Sequence, residues 1–229
     1  MAFNILHISD THGFHNEFPK ETFKDIDMVI HSGDCSNSRY LQHSILEITN
    51  FLNWYEMIDV KYKIFVAGNH DTAIERKSIT GADIIMRDII YLENESIEIE
   101  GLKIWGSPIT PTFGEWSFMK ARDKTHEVWK EIPNDTDIAI VHGPPKGIRD
   151  LSHNREGQLE FCGDLALRKR IDEVKPKLMC FGHIHDSVGC HNQGVSTFQQ
   201  RKTIFSNGSC VTDGRFDLGL TSFGNIFQI

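Results

Sequence analysis

Residues 178–190 read LMCFGHIHDSVGC, an apolar run that stops at glycine and then presents two histidines one residue apart. Leu, Met, Cys and Phe in a row suit a buried strand, and the glycine suits its exit into a loop. Two uses of the remainder are open. Cys180 and Cys190 with His183 and His185 match the ligand types of a tetrahedral structural zinc. The histidines can instead be half of a catalytic metal centre, with the cysteines only packing nearby. That second use demands further ligands at the ends of other strands.

Such strand ends recur along the chain. Apolar runs rich in Ile, Val, Phe or Leu stand at FNILHI (3–8), MVIH (28–31), YKIFVA (62–67), LKIWG (102–106), DIAIV (137–141) and TIFS (203–206). Each reads as a buried strand, and SIEIEG (96–101) alternates as a strand with one wet face. Apolar spacing predicts helices over 39–57, 117–131 and 162–176, the last closed by Pro176. Strands alternate with helices early and become denser after residue 84, which suggests an α/β fold with mixed sheets, of the four-layer α/β/β/α sandwich type. No linker, repeat or low-complexity tract interrupts residues 1–229, so one domain is expected.

Bulk composition narrows the function. The 229 residues are 39% hydrophobic and 24% charged, as in ordinary globular chains. A formal net charge of -8 argues against a broad groove that tracks nucleic-acid phosphates. It leaves a small phosphorylated substrate open, because bound divalent cations reverse the local field. Five cysteines without a CxxC pair do not form a disulfide framework. The opening MAFNILHISDTHG lacks a basic segment and breaks at Ser9 and Asp10, so no signal peptide is expected, and no run approaches a membrane span. A reducing, cytoplasmic location is the expectation.

Polar residues gather where the runs end: Asp10-x-His12, Gly33-Asp34, Gly68-Asn69-His70-Asp71, His142 and Gly182-His183-Ile184-His185. Taken singly these are weak signals. A DxH or GD is commonly a turn or a cap, GNHD can be an Asn-rich turn, and one histidine of GHIH can sit hydrogen-bonded in a core. Taken together, five such motifs after five strands are poorly explained by chance. In open α/β sheets ligands bind beyond the strand carboxyl ends, so separate exits can converge. Carboxylate, imidazole and amide donors suit Mn, Fe, Zn or similar divalent ions better than calcium.

In this order, DxH, GD, GNH, H and GHxH resemble the calcineurin-like metallophosphoesterase superfamily. YKIFVAGNHD (62–71), LKIWGSPITPTF (102–113), VHGPPKGIRD (141–150) and KPKLMCFGHIHDSVG (175–189) are similar to its branch of small metallophosphoesterase-domain-containing proteins. The resemblance implies that Asp10, His12 and His185 hold one metal, that Asn69, His142 and His183 hold the other, and that Asp34 bridges them. A bridging carboxylate keeps two cations about 3.5–4 Å apart, the spacing used in two-metal phosphoryl chemistry. Manganese is the first expectation, with Fe, Zn, Ni or Co as substitutes. The resemblance also makes His70 a group that faces substrate, donating to a phosphate oxygen or protonating the leaving group. Asp71 either orients that imidazole or is a solvated turn residue. The implied reaction is in-line attack on phosphorus by a metal-bridging hydroxide. With His183 and His185 assigned to distant partners, Cys180 and Cys190 are left as packing residues, and Ile184 is expected to point back to the core.

The substrate class follows from departures within the resemblance. Protein phosphatases of the superfamily carry GDxxDRG, whereas this chain has Gly33-Asp34-Cys35-Ser36-Asn37-Ser38-Arg39. That departure argues against a protein phosphatase, and the branch the chain resembles implies a small phosphodiester, a cyclic nucleotide with 2',3' ahead of 3',5'; no membrane or extended nucleic-acid partner is expected. Alternatives are a phosphomonoesterase or nuclease on the same metals, or a nucleotide-binding scaffold with little turnover. The polar stretch 148–161 can cover the pocket. Arg149, Arg155, Asn37, Asn69 and His70 are candidate substrate contacts, although the two arginines equally suit solvated loop positions.

Overall fold

The computed structural model describes residues 3–154, 156–198, 202–214 and 218–229, and in it the apolar runs become the strands of two stacked sheets. In the first sheet, β1 (Asn4–Ile8), β2 (Met28–His31), β3 (Tyr62–Phe65) and β4 (Ile90–Tyr91) run parallel. Strand β15 (Asn225–Gln228) closes that sheet antiparallel to β1. The second sheet has a parallel centre of β6 (Leu102–Ser107), β9 (Ile138–Val141), β12 (Leu178–Phe181) and β14 (Ile204–Asn207). Its edges are antiparallel: β5 (Glu95–Ile99) beside β6 and β13 (Gly194–Ser196) beside β14.

Alternation along the strands builds three buried cores. In β1, Ile5 faces the second sheet while Leu6 and Ile8 face the opposite way. The helix α1 (Leu41–Glu56) covers that outer face with Ile48, Phe51, Leu52 and Tyr55, joined by Ala73 and Ile74 of α2 (Thr72–Glu75) and Ile84 of α3 (Gly81–Ile85). Between the sheets lie Met28, Ile30, Ile64, Ile104, Ile138, Ile140, Leu178 and Cys180. Beyond the second sheet, Ala139, Val141, Met179 and Phe181 pack under α4 (His126–Trp129) and α5 (Leu165–Val174). Helix, sheet, sheet, helix is thus the layer order, as the sequence predicted. Full burial of each Ile or Leu contributes roughly 1.5–3 kcal/mol, so the apolar periodicity dictates this stacking.

Local departures have local causes. The expected helix over 117–131 shrinks to α4. Phe118 takes a left-handed φ of 54°, and β8 (Met119–Lys120) instead pairs with β7 (Thr110–Pro111). Helix α5 opens on Asp164, whose carboxylate accepts from the Ala166 and Leu167 N–H groups. It ends at Lys175 with φ 55°, one residue before the Pro176 expected to close it. The polar 148–161 stretch forms a ribbon, β10 (Leu151–His153) against β11 (Leu159–Phe161). Among the described residues no helix is long and apolar enough to cross a membrane.

Candidate metal centre

The carboxyl ends of β1, β2 and β3 in one sheet, and of β9 and β12 in the other, open at the same rim. Three of these exits, after β1, β2 and β12, turn sharply. Asp10, His12, Asp34 and His183 all adopt left-handed φ values, 50°, 42°, 56° and 69°. That conformation is costly for residues other than glycine, and Asp, Asn and His tolerate it best. It swings each side chain off the strand axis into the space between the sheet ends. The flanking glycines are required by closeness: a Cβ on Gly68 would stand 2.3 Å from Asp34 Oδ1, and one on Gly182 only 1.9 Å from Asp10 Oδ2.

The seven residues named as ligands from the sequence come together in overlapping clusters. Asp10, His12 and His185 form one, and Asp34, His142 and His183 another, with donor atoms in each within 4.8 Å of one another. Asn69 joins the second cluster, its Oδ1 3.0 Å from His142 Nε2. Asp34 Oδ2 lies 3.2 Å from His142 Nε2 and 3.9 Å from His12 Nε2, so this carboxylate sits between the two groups. His185 Nε2 is 3.0 Å from Asp10 Oδ1. The cysteines stay out of these clusters. All five are free thiols, and Cys180 and Cys190 are buried.

Backbone carbonyls set the histidine tautomers. Nδ1 of His12 donates to Ser36 O at 3.0 Å, Nδ1 of His142 to Ser32 O at 2.9 Å, and Nδ1 of His185 to Thr212 O at 3.2 Å. In all three rings Nε2 is left facing the carboxylates, the arrangement that orients imidazole toward a metal. Asp10 is anchored by the His183 N–H at 3.0 Å to each oxygen and by Ser209 Oγ at 2.9 Å. Burial raises the Asp10 carboxyl, but His185, His142 and His12 outweigh it and hold it well below the carboxylate range. Burial likewise opposes ionisation of Asp34, yet His142 and His70 outweigh it and hold this carboxyl below its usual value as well. Two buried carboxylates faced by imidazoles with free Nε2 positions therefore fit a pair of divalent cations.

His70 is not among the ligands expected from the sequence, yet it forms a third cluster with His12 and Asp34, their donor atoms likewise within 4.8 Å of one another. Its Nδ1 donates to Asn37 O at 2.8 Å, which leaves Nε2 toward the cavity, 4.0 Å from Asp34 Oδ2. The indole of Trp116 lies against its face, ring centres 4.2 Å apart. Asp71 differs from both sequence readings: it neither orients the His70 ring nor meets solvent. It is fully buried and accepts from the N–H groups of Gly68, Asp34 and Ser36, and from Ser36 Oγ and Cys35 Sγ. Burial and the nearby Asp34 charge raise its carboxyl to about 6.

Above the clusters opens a cavity of about 660 Å³, lined by His12, Asp34, Asn37, Asn69, His70, His183 and His185 at its floor. Phe113 and Trp116 form one wall, and Ser152, Asn154 and Glu160 of the β10–β11 ribbon form another, so the 148–161 stretch does border the pocket. Ile184 is half-buried and lines the cavity instead of returning to the core. Arg149 is not among the lining residues. Its guanidinium is engaged by Ser196 Oγ at 2.8 Å, by Asn192 O at 3.1 Å, and by the carbonyls of Gln193 and Val195. It pins the chain around β13 and so faces away from the cavity. Arg155 lies outside the described residues. Sequence reasoning missed Arg122, Phe113 and Trp116, all on the cavity wall. For the aromatics the available signal was TFGEW (112–116), two rings placed in a glycine-containing loop.

Comparisons with known proteins agree with this geometry. A family model described as calcineurin-like phosphoesterase matches residues 3–187. "Probable rhamnogalacturonate lyase C" of Emericella nidulans is 36% identical over 197 residues, which are 81% of this chain and 17% of that protein. Human "Metallophosphoesterase domain-containing protein 1" is 30% identical over 200 residues, 75% of this chain and 58% of that protein. The chain thus spans less than two thirds of either relative. Phosphopantetheinyl Hydrolase from Mycobacterium tuberculosis superposes with a TM-score of 0.61 at 13% identity, covering 93% of this chain and 91% of that one. At that identity the likeness speaks for the fold alone.

Proposed function

Because the chain belongs to the calcineurin-like phosphoesterase family, we propose that it is a two-metal hydrolase of small phosphodiesters, with cyclic nucleotides as substrates and the 2',3' isomers ahead of the 3',5'. The observation that carries this reading is the sharing of Asp34 between two donor groups at the floor of a cavity into which His70 Nε2 projects. Asp10, His12 and His185 would hold one cation, Asn69, His142 and His183 the other, and Asp34 both. Manganese suits this mixed donor set, with Fe, Zn, Ni or Co able to replace it. When bound, the cations supply Lewis acidity and an activated water at neutral pH.

The protein's own groups do the rest. Asn37 and Asn69 offer neutral amides to the phosphate or the sugar. His70, fixed by the Asn37 carbonyl, holds a proton at Nε2 for the leaving oxygen and so needs the cationic form at that moment. Among the described lining residues the cavity carries one arginine, Arg122, against the carboxylates Asp34, Glu160 and Asp213. That balance favours a singly charged diester over a doubly charged monoester. A soluble cytoplasmic enzyme acting on a small molecule, with no extended nucleic-acid surface, completes the reading.

The test compares bis-p-nitrophenyl phosphate with p-nitrophenyl phosphate in manganese, followed by a panel of cyclic nucleotides. Preference for the diester, with turnover of a cyclic nucleotide, is the expected result. Faster release from the monoester would assign a phosphomonoesterase instead.

A further inference from the structure

The ring of His70 is held on more than one side. Its Nδ1 is tied to the Asn37 carbonyl at 2.8 Å, and the edge of His12 meets it with ring centres 4.8 Å apart at 82°. The indole of Trp116 covers its face, 4.2 Å away and tilted by 35°. Trp116 is itself fastened. The Arg39 guanidinium carbon lies 3.8 Å from the indole centre, and its Nη2 donates to Glu115 O at 3.1 Å. On the following residue, the Ser117 N–H donates to Asn69 O at 3.1 Å, and Ser117 Oγ to Thr72 Oγ1 at 3.0 Å. The cation–π contact of the guanidinium with the indole face and the hydrogen bonds on either side of the tryptophan make this loop a fixed wall. The wall is joined to the same turn that carries Asn69 and His70.

We propose that Trp116, secured by Arg39, is a positioning residue that keeps His70 Nε2 aimed at the leaving oxygen of the substrate. A general acid contributes when its proton lies within hydrogen-bond reach of the oxygen that departs. Without the indole, the His70 ring keeps its bond to Asn37 but gains room to tilt toward the open cavity. The step affected is the one in which the phosphorus–oxygen bond breaks, its electron pair goes to the leaving oxygen, and the Nε2 proton follows. Metal retention does not depend on that alignment. The proposal rests on the role given to His70 above, and it adds two residues that no ligand motif includes.

The test uses wild type, Trp116→Ala, Trp116→Phe, His70→Ala and the Trp116→Ala/His70→Ala double variant. Substrates are methyl phenyl phosphate and methyl p-nitrophenyl phosphate in manganese, which differ in how much the leaving group needs a proton. Trp116→Ala should lower kcat about tenfold on the phenyl ester and about twofold or less on the nitrophenyl ester, while any change in KM from the altered wall is the same for both esters. Trp116→Phe should recover most of the loss. The alanine substitution should add nothing in the His70→Ala background, because the two residues act as one unit. In metal-free protein, the His70 Hε1 proton resonance should move when the indole is removed. An equal loss on both esters, a loss that persists without His70, or an unmoved resonance would overturn the proposal. If His70→Ala itself fails to distinguish the esters, the role of His70 is what falls.

Discussion

The carboxylate of Asp71 accepts the backbone N–H of Asp34 at 3.0 Å, so one buried acid holds the loop that presents the other. The same Asp71 oxygen takes the Gly68 N–H at 2.7 Å, which locks the second strand exit to the third. The spacing between the turn that carries Asp34 and the turn that carries Asn69 is therefore held by Asp71.

Replacement of Asp71 by Asn should expose this. An amide oxygen can serve only some of the five donors now converging on the carboxylate, and its NH₂ faces backbone N–H groups. Leaving buried donors unpaired costs about 1–3 kcal/mol each. Denaturant melts of Asp71→Asn should show a loss of about that size or more, together with weaker metal retention after dialysis. Unchanged stability would contradict the assignment.

Gly182→Ala should cost metal before it costs fold. The new methyl would stand 1.9 Å from Asp10 Oδ2 and 2.2 Å from Ser9 Oγ, so Asp10 must give way. Metal analysis of the purified variant should fall from two ions per chain toward one, because the methyl's nearest neighbours are Asp10 and Ser9, away from Asp34, Asn69 and His142. Retention of two would contradict the placement of Asp10.

Arg149→Ala separates a structural arginine from a substrate-binding one. Its guanidinium is taken up by carbonyls of residues 192, 193 and 195 and by Ser196 Oγ. Loss of these bonds should lower stability by about 1–3 kcal/mol, while KM for a phosphodiester stays within about twofold, under RT ln 2. A large rise in KM with an unchanged melt would restore the substrate role.

Stability of the metal-free protein should fall in mild acid. Burial pushes His7 and His31 from 6.5 down to about 3, so both are neutral when folded and take up protons on unfolding. Their stabilising contribution is complete above pH 6.5 and is lost progressively as pH falls toward 3, at about 1.4 kcal/mol per pH unit for each. His142, raised to about 9, acts in the opposite sense between pH 6.5 and 9. His31→Phe keeps the ring contacts with Phe51 and Phe65, and should reduce the acid slope between pH 6 and 4.5 by one proton. An unaltered slope would show that His31 is not buried in its neutral form.

The strands and the four layers were legible because alternation in runs such as IAIV and MVIH directly encodes two buried faces. The convergence of Asp10, His12, Asp34, His142, His183 and His185 was legible because each sits at the end of such a run. What escaped the sequence depended on tertiary contact. Arg149 and Arg39 are both loop arginines, and only folding shows one bound to carbonyls and the other against an indole. Asp71 looked like a turn residue because its five donors come from two different strand exits. Residues 117–131 carried helical spacing, but pairing between Thr110 and Met119 overrode it.

The most direct measurement is a manganese titration of chelator-stripped protein, following hydrolysis of bis-p-nitrophenyl phosphate. Two donor groups sharing Asp34 predict that activity is absent without metal and reaches its plateau only after two equivalents are bound. Full activity at one equivalent, or activity that survives in the stripped protein, would contradict a two-metal phosphodiesterase.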